Sequence, residues 1–139
     1  MNNVNTAQPH TVPIKTLTDE RGNLGIVEAM ADAGFLFHRL YFLYGTTGEA
    51  RGHHAHKALR QYMLAIHGAF TVTLKGRGQT FTFRLESPTQ ALIIPPGYWR
   101  ELEDFTVDAV CLVAASAEYD EADYIRDYNE FLQWEQTHA

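Results

Sequence analysis

The sequence contains a single cysteine, so an intrachain disulfide is excluded. Cys111 lies in the apolar run 110–113, which predicts a small buried hydrophobe. The chain also lacks an apolar run long enough to cross a bilayer, and its first residues lack the basic segment and apolar stretch of a secretion signal. These absences predict a cytoplasmic protein with no membrane partner.

Positive charge is also in short supply. Eleven Lys and Arg stand against 17 Asp and Glu, which gives a net charge of −6. Nucleic-acid binding requires a basic face, so that class of partner is not expected. A small anionic ligand needs only a few arginines concentrated at its site. A chain of 139 residues with 45% apolar residues fits a single domain, residues 1–139.

Short strands dominate the pattern between residues 24 and 115, where glycine and proline turns separate eight or nine of them. The clearest hairpin has apolar residues alternating with threonines over 70–74, a turn at 75–78 and a second alternation over 81–85. This spacing predicts an all-β sandwich or barrel and not alternating βα units. Residues 1–12 are polar and without a period, which indicates a loose leader.

The C-terminal segment changes to a helical period. Asp120 can cap a helix, with Asp123 three residues later. We therefore expect an α-helix over 120–135 whose tyrosines serve in packing. Its apolar stripe is formed by Tyr124, Tyr128, Phe131 and Leu132.

Three of the seven histidines fall within positions 53–56. His54 and His56 are two residues apart, so on a strand both imidazoles point to the same face, whereas His53 points to the other face. Two convergent imidazoles can bind a metal ion or transfer protons near neutral pH. The histidine pair alone leaves both possibilities open.

The spacing around this pair resembles the first signature of the cupin superfamily, and residues 95–100 resemble the second. That resemblance implies a jelly-roll (double-stranded β-helix) barrel. Metal-binding cupins have a glutamate where this chain has Gln61 and a third histidine where it has Arg100. A neutral amide is a poor metal ligand and a guanidinium cannot donate a lone pair, so no metal site is expected. The first signature is carried by Gly48, His54, His56, Gln61 and Gly68.

Three longer motifs, at 51–57, 94–101 and 119–128, resemble the dTDP-4-keto-6-deoxy-glucose 3,4-ketoisomerase family, and the likeness extends from residue 18 to 132. The resemblance implies a homodimeric cupin without metal or other cofactor. It would convert dTDP-4-keto-6-deoxy-D-glucose to a dTDP-3-keto-6-deoxyhexose. The product would supply 3-amino-3,6-dideoxy sugars for surface polysaccharide such as lipopolysaccharide O-antigen.

The same resemblance implies roles for individual residues. His54 and His56 would be catalytic, with His54 as the carbon base and His56 moving the proton between the two oxygens through an enediol. The arginines would hold the pyrophosphate or the enediolate oxygen, and the aromatic residues would contact the sugar or the thymine. The candidate substrate-binding residues are Arg21, Arg39, Tyr41, Tyr44, Arg51, Trp99 and Arg100.

Three alternatives remain on sequence grounds. The first is a metal-dependent cupin enzyme, either a dioxygenase or a sugar isomerase. The second is a cupin that binds a sugar nucleotide without catalysis. A dTDP-sugar 3,5-epimerase is the third, and it is disfavoured because those chains are longer and lack this histidine spacing.

Overall fold

The structure, a computed structural model that describes residues 8–138, is built mainly of antiparallel strands followed by one α-helix. Short polar turns connect the strands, in agreement with the glycine and proline spacing of the sequence. The elements are β1 (His10–Pro13), β2 (Lys15–Asp19), β3 (Gly22–Ile26), β4 (Arg39–Leu43), β5 (Arg51–His56), β6 (Gln61–His67), β7 (Phe70–Gly76), β8 (Gln79–Leu85), β9 (Gln90–Ile94), β10 (Trp99–Glu103), β11 (Val110–Ala115), β12 (Tyr124–Ile125) and α1 (Tyr128–His138).

Two five-stranded sheets form the body of the protein. Their strand orders are β1-β9-β6-β11-β4 and β12-β5-β10-β7-β8, and β2 and β3 pair only with each other among the described residues. Nine strands lie between residues 22 and 115, which confirms the predicted number. The arrangement confirms an all-β jelly-roll barrel with a C-terminal helix.

The main core lies between the two sheets. Phe70, Val72 and Leu74 of β7 point into it, and their alternation with exposed or half-buried threonines confirms the predicted hairpin with β8. Cys111 is buried in the same core, as its apolar surroundings predicted. Burial raises the pKa of its thiol to about 12, so the sulfur is neutral and unreactive at physiological pH.

Each sheet also buries part of its outer face. Residues 33–37 cover the first sheet. The second sheet packs against α1, where Phe131 contacts Trp99 and closes over Ala55. Because α1 covers the outside of β5, the side chains on the other face of β5 are directed between the sheets.

The predicted loose leader over 1–12 is wrong for its last three residues. Residues 10–12 belong to β1, which pairs antiparallel with the edge of β9 from His10 opposite Ile93 to Pro13 opposite Gln90. Val12 packs against the outer apolar cluster of that sheet. Backbone pairing and this contact therefore order a segment whose composition suggested none, and residues 1–7 lie outside the described part of the chain.

The predicted helix over 120–135 is wrong in its first half, residues 120–127. Asp120 caps only a short 3-10 turn at 121–123, by accepting a hydrogen bond from the Ala122 N–H at 3.1 Å. The chain then becomes extended as β12, because the exposed edge of β5 offers backbone partners to Tyr124 and Ile125. The α-helix begins at Tyr128, and no helix within residues 8–138 is long and apolar enough to cross a membrane.

Candidate active site

His54 and His56 project from β5 into the space between the sheets. Their ring centroids are 4.8 Å apart and the ring planes are nearly perpendicular, at 89°. Ala55 between them is buried against Trp99 and α1, and His53 is exposed. The structure thus places the two imidazoles on one face, and the period of two in the sequence is the reason.

Arg100 faces the histidines from the neighbouring strand β10. It lies opposite His54 in the strand register, and its side chain is only 3% exposed. An irregularity in the pairing follows immediately, since Leu102 pairs with Arg51. Gly52, at φ +73°, supplies the extra residue on β5, and its lack of a side chain leaves room for the guanidinium.

The Arg100 guanidinium is fixed by a buried hydrogen-bonded triangle. Its Nη1 donates to Gln61 Oε1 at 3.0 Å and to the Tyr41 hydroxyl oxygen at 3.3 Å. Gln61 Nε2 donates to the same hydroxyl at 2.7 Å. The Tyr41 oxygen therefore accepts two hydrogen bonds, which leaves its own O–H group as a donor toward another partner.

The side chains at the two altered cupin positions are therefore bonded to each other. Among residues 8–138 the Arg100 guanidinium is bonded to the neutral side chains of Gln61 and Tyr41 and to no carboxylate. Its positive charge therefore remains close to the histidine rings. Within residues 8–138, no group of three or more His, Cys, Asp or Glu side chains is arranged to hold a metal ion.

Asp123, the last residue of the 3-10 turn, and Tyr124, the first residue of β12, lie beside the histidines. Asp123 Oδ2 lies 2.9 Å from Nδ1 of His56. The Tyr124 ring centroid is 4.4 Å from that of His56 and 5.0 Å from that of His54. Sequence reasoning assigned both residues to a helix, so it missed them. The only sequence signal that included them was the 119–128 motif as a whole.

The side chains of Arg126 and Tyr119 pack against the ring of Tyr124. The Arg126 guanidinium lies over its ring at 4.2 Å and donates two hydrogen bonds to Glu121, at 2.8 and 2.9 Å. The Tyr119 hydroxyl donates to the same carboxylate, and its ring lies 5.5 Å from that of Tyr124. These two tyrosines form an aromatic wall beside the histidines, which periodicity did not predict.

Both imidazoles are neutral at physiological pH. Burial, and next the positive charge of Arg100, lower the pKa of His54 to about 2. Burial also lowers the pKa of His56, to about 4, although the hydrogen bond to Asp123 raises it. Each ring therefore has an unprotonated nitrogen that can accept a proton.

Several buried polar atoms of this cluster have no hydrogen-bond partner among the described residues. They include Nε2 of His54, Nε2 of His56, Nε of Arg100 and Nε of Arg39. Leaving such atoms buried and unpaired costs about 1–3 kcal/mol each. Because several such unpaired atoms lie close together here, their side chains are candidates to bind a polar ligand.

Two of the remaining predicted residues join the cluster. Tyr41 belongs to the triangle with Arg100, and the Arg39 guanidinium lies 5.4 Å from the Tyr41 ring and 5.8 Å from the Tyr119 ring. Alternation along β4 places both side chains on its inner face. Arg51 is exposed at the first position of β5, three residues before His54.

The structure does not bring Trp99, Tyr44 or Arg21 to this cluster. Trp99 is 4% exposed and packs on the outer face of β10 against Phe131, on the side of the strand away from the histidines. Its neighbour Arg100 takes the inner face because successive strand residues alternate. Tyr44 is exposed outside the sheet, beside Phe42. Arg21 is 84% exposed in the β2–β3 turn and paired with Asp19.

A cleft of about 620 Å³ lies elsewhere, between α1 and the turn at 95–97. Lys57, Arg60 and Trp134 are among its lining residues, and none of the predicted site residues lines it. The two histidines with lowered pKa values and four of the buried polar atoms without a partner are in the interior cluster, so we assign the candidate active site there.

Comparison with known proteins identifies the family of this chain. Residues 7–136 match the family FdtA, described as WxcM-like, C-terminal. A TDP-4-oxo-6-deoxy-alpha-D-glucose-3,4-oxoisomerase of Aneurinibacillus thermoaerophilus is 37% identical over 124 residues, which cover 88% of this chain and 89% of that protein.

Solved structures give the same result. QdtA, a sugar 3,4-ketoisomerase from Thermoanaerobacterium thermosaccharolyticum in complex with TDP, superposes with a TM-score of 0.90 at 33% identity, covering 93% of this chain and 95% of that one. A 3,4-ketoisomerase from Helicobacter canadensis gives 0.88 at 35% identity, covering 92% and 97%. With nearly the whole chain matched in sequence and in fold, the chain belongs to the dTDP-sugar 3,4-ketoisomerase family of cupin-fold enzymes.

Proposed function

We propose that the interior cluster converts dTDP-4-keto-6-deoxy-D-glucose to a dTDP-3-keto-6-deoxyhexose by histidine-mediated proton transfer through an enediol. One observation carries the proposal. Two neutral imidazoles present buried, unpartnered Nε2 atoms beside a fixed guanidinium. Neutral imidazole accepts a proton, and a nearby cation stabilises the negative oxygen that forms when a carbon next to a ketone loses one.

The reaction requires one proton to move from C3 to C4 and one to move between the two oxygens. Nε2 of His54 takes the C3 hydrogen as a proton, and the electron pair of that C–H bond forms the C3–C4 double bond. The negative charge passes to the C4 oxygen, which is protonated in the same half by a proton that Nε2 of His56 takes from the C3 hydroxyl and delivers, so the intermediate passes through the enediol level. In the second half the C3 oxygen, which has given up its proton to this relay, becomes the C3 carbonyl, and the electron pair of the C3–C4 double bond takes back at C4 the proton held by His54. His56 thus moves one proton between the two oxygens, and both imidazoles end the reaction neutral.

Arg100 and Tyr41 are placed to stabilise the intermediate. Arg100 already uses Nη1 on Gln61 and Tyr41, and its Nε is buried without a partner. The Tyr41 O–H is free to donate because its oxygen accepts from two neighbours. Two donors directed at a developing enediolate oxygen would lower the barrier by several kcal/mol, about 3 for one well-placed donor.

The nucleotide end of the substrate needs cations and aromatic surface. QdtA is described in complex with TDP, which supports a TDP-linked substrate for this chain. Arg39, with its buried unpartnered Nε, and Arg51, at the start of β5, are the candidate contacts for the pyrophosphate. The exposed ring of Tyr119 lies beside Arg39 and offers a surface on which a thymine can stack.

The proposal extends to the biological setting. A 3-keto sugar is the substrate form that a later aminotransferase needs, so the product would lead to 3-amino-3,6-dideoxy sugars of surface polysaccharide. The single buried thiol suits a reducing cytoplasm. A homodimer is the proposed assembly, because β4 is an edge strand whose outer face exposes Leu40 and Phe42.

Proton NMR of the reaction in deuterated water tests the function and the division of roles together. We expect the unsubstituted protein to convert dTDP-4-keto-6-deoxy-D-glucose with deuterium entering the sugar ring. His54→Asn should slow exchange of the C3 hydrogen by at least about 100-fold. His56→Asn should reduce product formation more than it reduces C3 exchange.

The control is His67→Asn, because His67 is exposed and pairs with Asp108 outside the cluster. It should exchange and turn over at the unsubstituted rate. Undiminished C3 exchange in His54→Asn would refute the role of His54. Binding of the keto sugar without any turnover by the unsubstituted protein would instead favour a non-catalytic sugar-nucleotide-binding cupin.

A further inference from the structure

The carboxylate of Asp123 is held between the ring of His56 and the backbone that follows it. Oδ2 lies 2.9 Å from His56 Nδ1, and Oδ1 accepts from the Ala58 N–H at 2.7 Å. The Lys57 N–H donates to the Asp123 carbonyl oxygen at 3.0 Å, and the Asp123 side chain is largely buried. Each carboxylate oxygen therefore has one assigned partner, and the side chain has little freedom to turn.

This geometry fixes the tautomer of the His56 ring. An ionised carboxylate can only accept hydrogen bonds, so the proton between the two groups sits on Nδ1. The neutral ring then has its lone pair on Nε2, the atom that is buried and without a partner. His54 has no carboxylate within hydrogen-bond reach in the described part of the chain.

We infer that Asp123 is the positioning residue of the isomerisation: it holds His56 as the Nδ1–H tautomer with Nε2 toward the substrate, and it stabilises the imidazolium that forms when Nε2 takes a proton. The inference rests on the proposed function of His56 as the proton carrier between the two oxygens. It also separates the two histidines chemically, since among the described residues only His56 is hydrogen-bonded to a carboxylate.

The charges around His56 agree with this chemical difference between the two histidines. Asp123 is the anion that faces it, and Arg100 from β10 and Arg39 from β4 are cations that lower its pKa. His54 and Tyr124 are its ring neighbours. Of the two imidazoles, His56 keeps the higher pKa because of the hydrogen bond to Asp123. A proton carrier needs a nitrogen that is basic enough to take up a proton. Asp123 raises the basicity of His56, whereas the positive charges of Arg100 and Arg39 lower it.

Asp123→Asn is the discriminating substitution. The Ala58 N–H still requires an acceptor, so the amide oxygen should face Ala58 and the amide NH₂ should face His56. The NH₂ group donates to Nδ1 and forces the proton of the ring to Nε2. We expect kcat to fall by at least about 100-fold with KM changed less than about threefold, because the side chain does not contact the substrate.

The nitrogen chemical shifts of His56 supply a readout that a merely structural role would not change. In the unsubstituted protein Nε2 should be the unprotonated nitrogen at pH 7, and in Asp123→Asn it should be Nδ1. Asp108→Asn is the matched control, since Asp108 forms a similar 3.0 Å contact with exposed His67. It should leave both the rate and the His56 spectrum unchanged.

The outcomes separate this inference from the proposed function. If the unsubstituted protein does not turn over the keto sugar, the proposed function fails whatever the tautomer. Turnover with an unprotonated Nδ1 in the unsubstituted protein would overturn the inference alone, and this measurement needs no variant to fold. Full activity of a folded Asp123→Asn protein would overturn it as well.

Discussion

Burial of two neutral imidazoles sets the response of this protein to pH. The unfolded chain binds a proton at each histidine below a pKa of about 6.5. In the folded protein the pKa of His54 is lowered to about 2 and that of His56 to about 4. The unfolded state therefore binds more protons than the folded state between these values and 6.5, and stability falls as the pH falls through that window.

We predict that the free energy of unfolding decreases by about 4 kcal/mol between pH 7 and pH 5, with about 2 kcal/mol from each histidine. Urea unfolding at pH 7, 6 and 5 measures this decrease. The double variant His54→Gln and His56→Gln should show a flatter profile, whereas His67→Gln should keep the full decrease because His67 is exposed. A double variant with the unsubstituted slope would contradict the assignment of the effect to the site.

Residue types alone predicted part of this site. Gln61 and Arg100 were recognised as replacements for metal ligands because of their chemistry and spacing. That they bond to each other and to Tyr41 depends on how β4 and β6 of one sheet face β10 of the other. Local sequence does not specify how two sheets pack face to face, so the triangle could not be predicted.

At the scale of elements, period-two alternation predicted the hairpin of β7 and β8 and the common face of His54 and His56. It failed at the C-terminus, where Tyr124 and Tyr128 are spaced like one helical face. Residues 124–125 instead complete the edge of β5, and Asp123 comes to His56 through that pairing. A tertiary hydrogen-bonding partner overrode the local helical pattern.

The irregularity of β5 at Gly52 offers a test of how an element positions the site. A Cβ at Gly52 would lie 2.9 Å from Leu102 Cδ1 and 3.3 Å from Arg100 Nη2, in addition to the cost of φ +73°. Gly78 has nearly the same φ, +75°, with nothing within 4 Å. The pair therefore separates crowding from backbone strain.

We predict that Gly78→Ala costs about 1 kcal/mol of stability and leaves activity unchanged. Gly52→Ala should cost about 1–2 kcal/mol more, since a buried leucine must shift, and it should reduce kcat at least about 10-fold by displacing Arg100. Thermal unfolding and the ketoisomerase assay measure the two effects. Equal loss of stability with unchanged activity in both variants would show that crowding at Gly52 does not reach the guanidinium.

On the scale of the whole molecule, the two sheets are protected unequally. Helix α1 covers the second sheet, whereas the β4 end of the first sheet is left open. Leu40 and Phe42 on its outer face are 63% and 58% exposed, and Leu36 lies exposed before the strand. An apolar face on an edge strand favours association, since burying it removes apolar area and pairs a free backbone edge.

The last prediction follows from that face. The purified protein should be a dimer at about 10 µM. Phe42→Asp should weaken dimer association by at least about 10-fold, because the substitution would bury a carboxylate in the proposed contact between the two β4 faces. Size-exclusion chromatography with light scattering over a dilution series measures both. Val107→Asp is the matched control, since Val107 is 93% exposed in the 104–109 loop and is not part of β4. A monomeric unsubstituted protein would refute the dimer, and equal dimerisation of Phe42→Asp would exclude this face as the contact. Arg39 and Tyr41 of the candidate active site alternate with Leu40 and Phe42 along β4. If a monomeric Phe42→Asp protein also had lower ketoisomerase activity, β4 would connect dimer formation to catalysis.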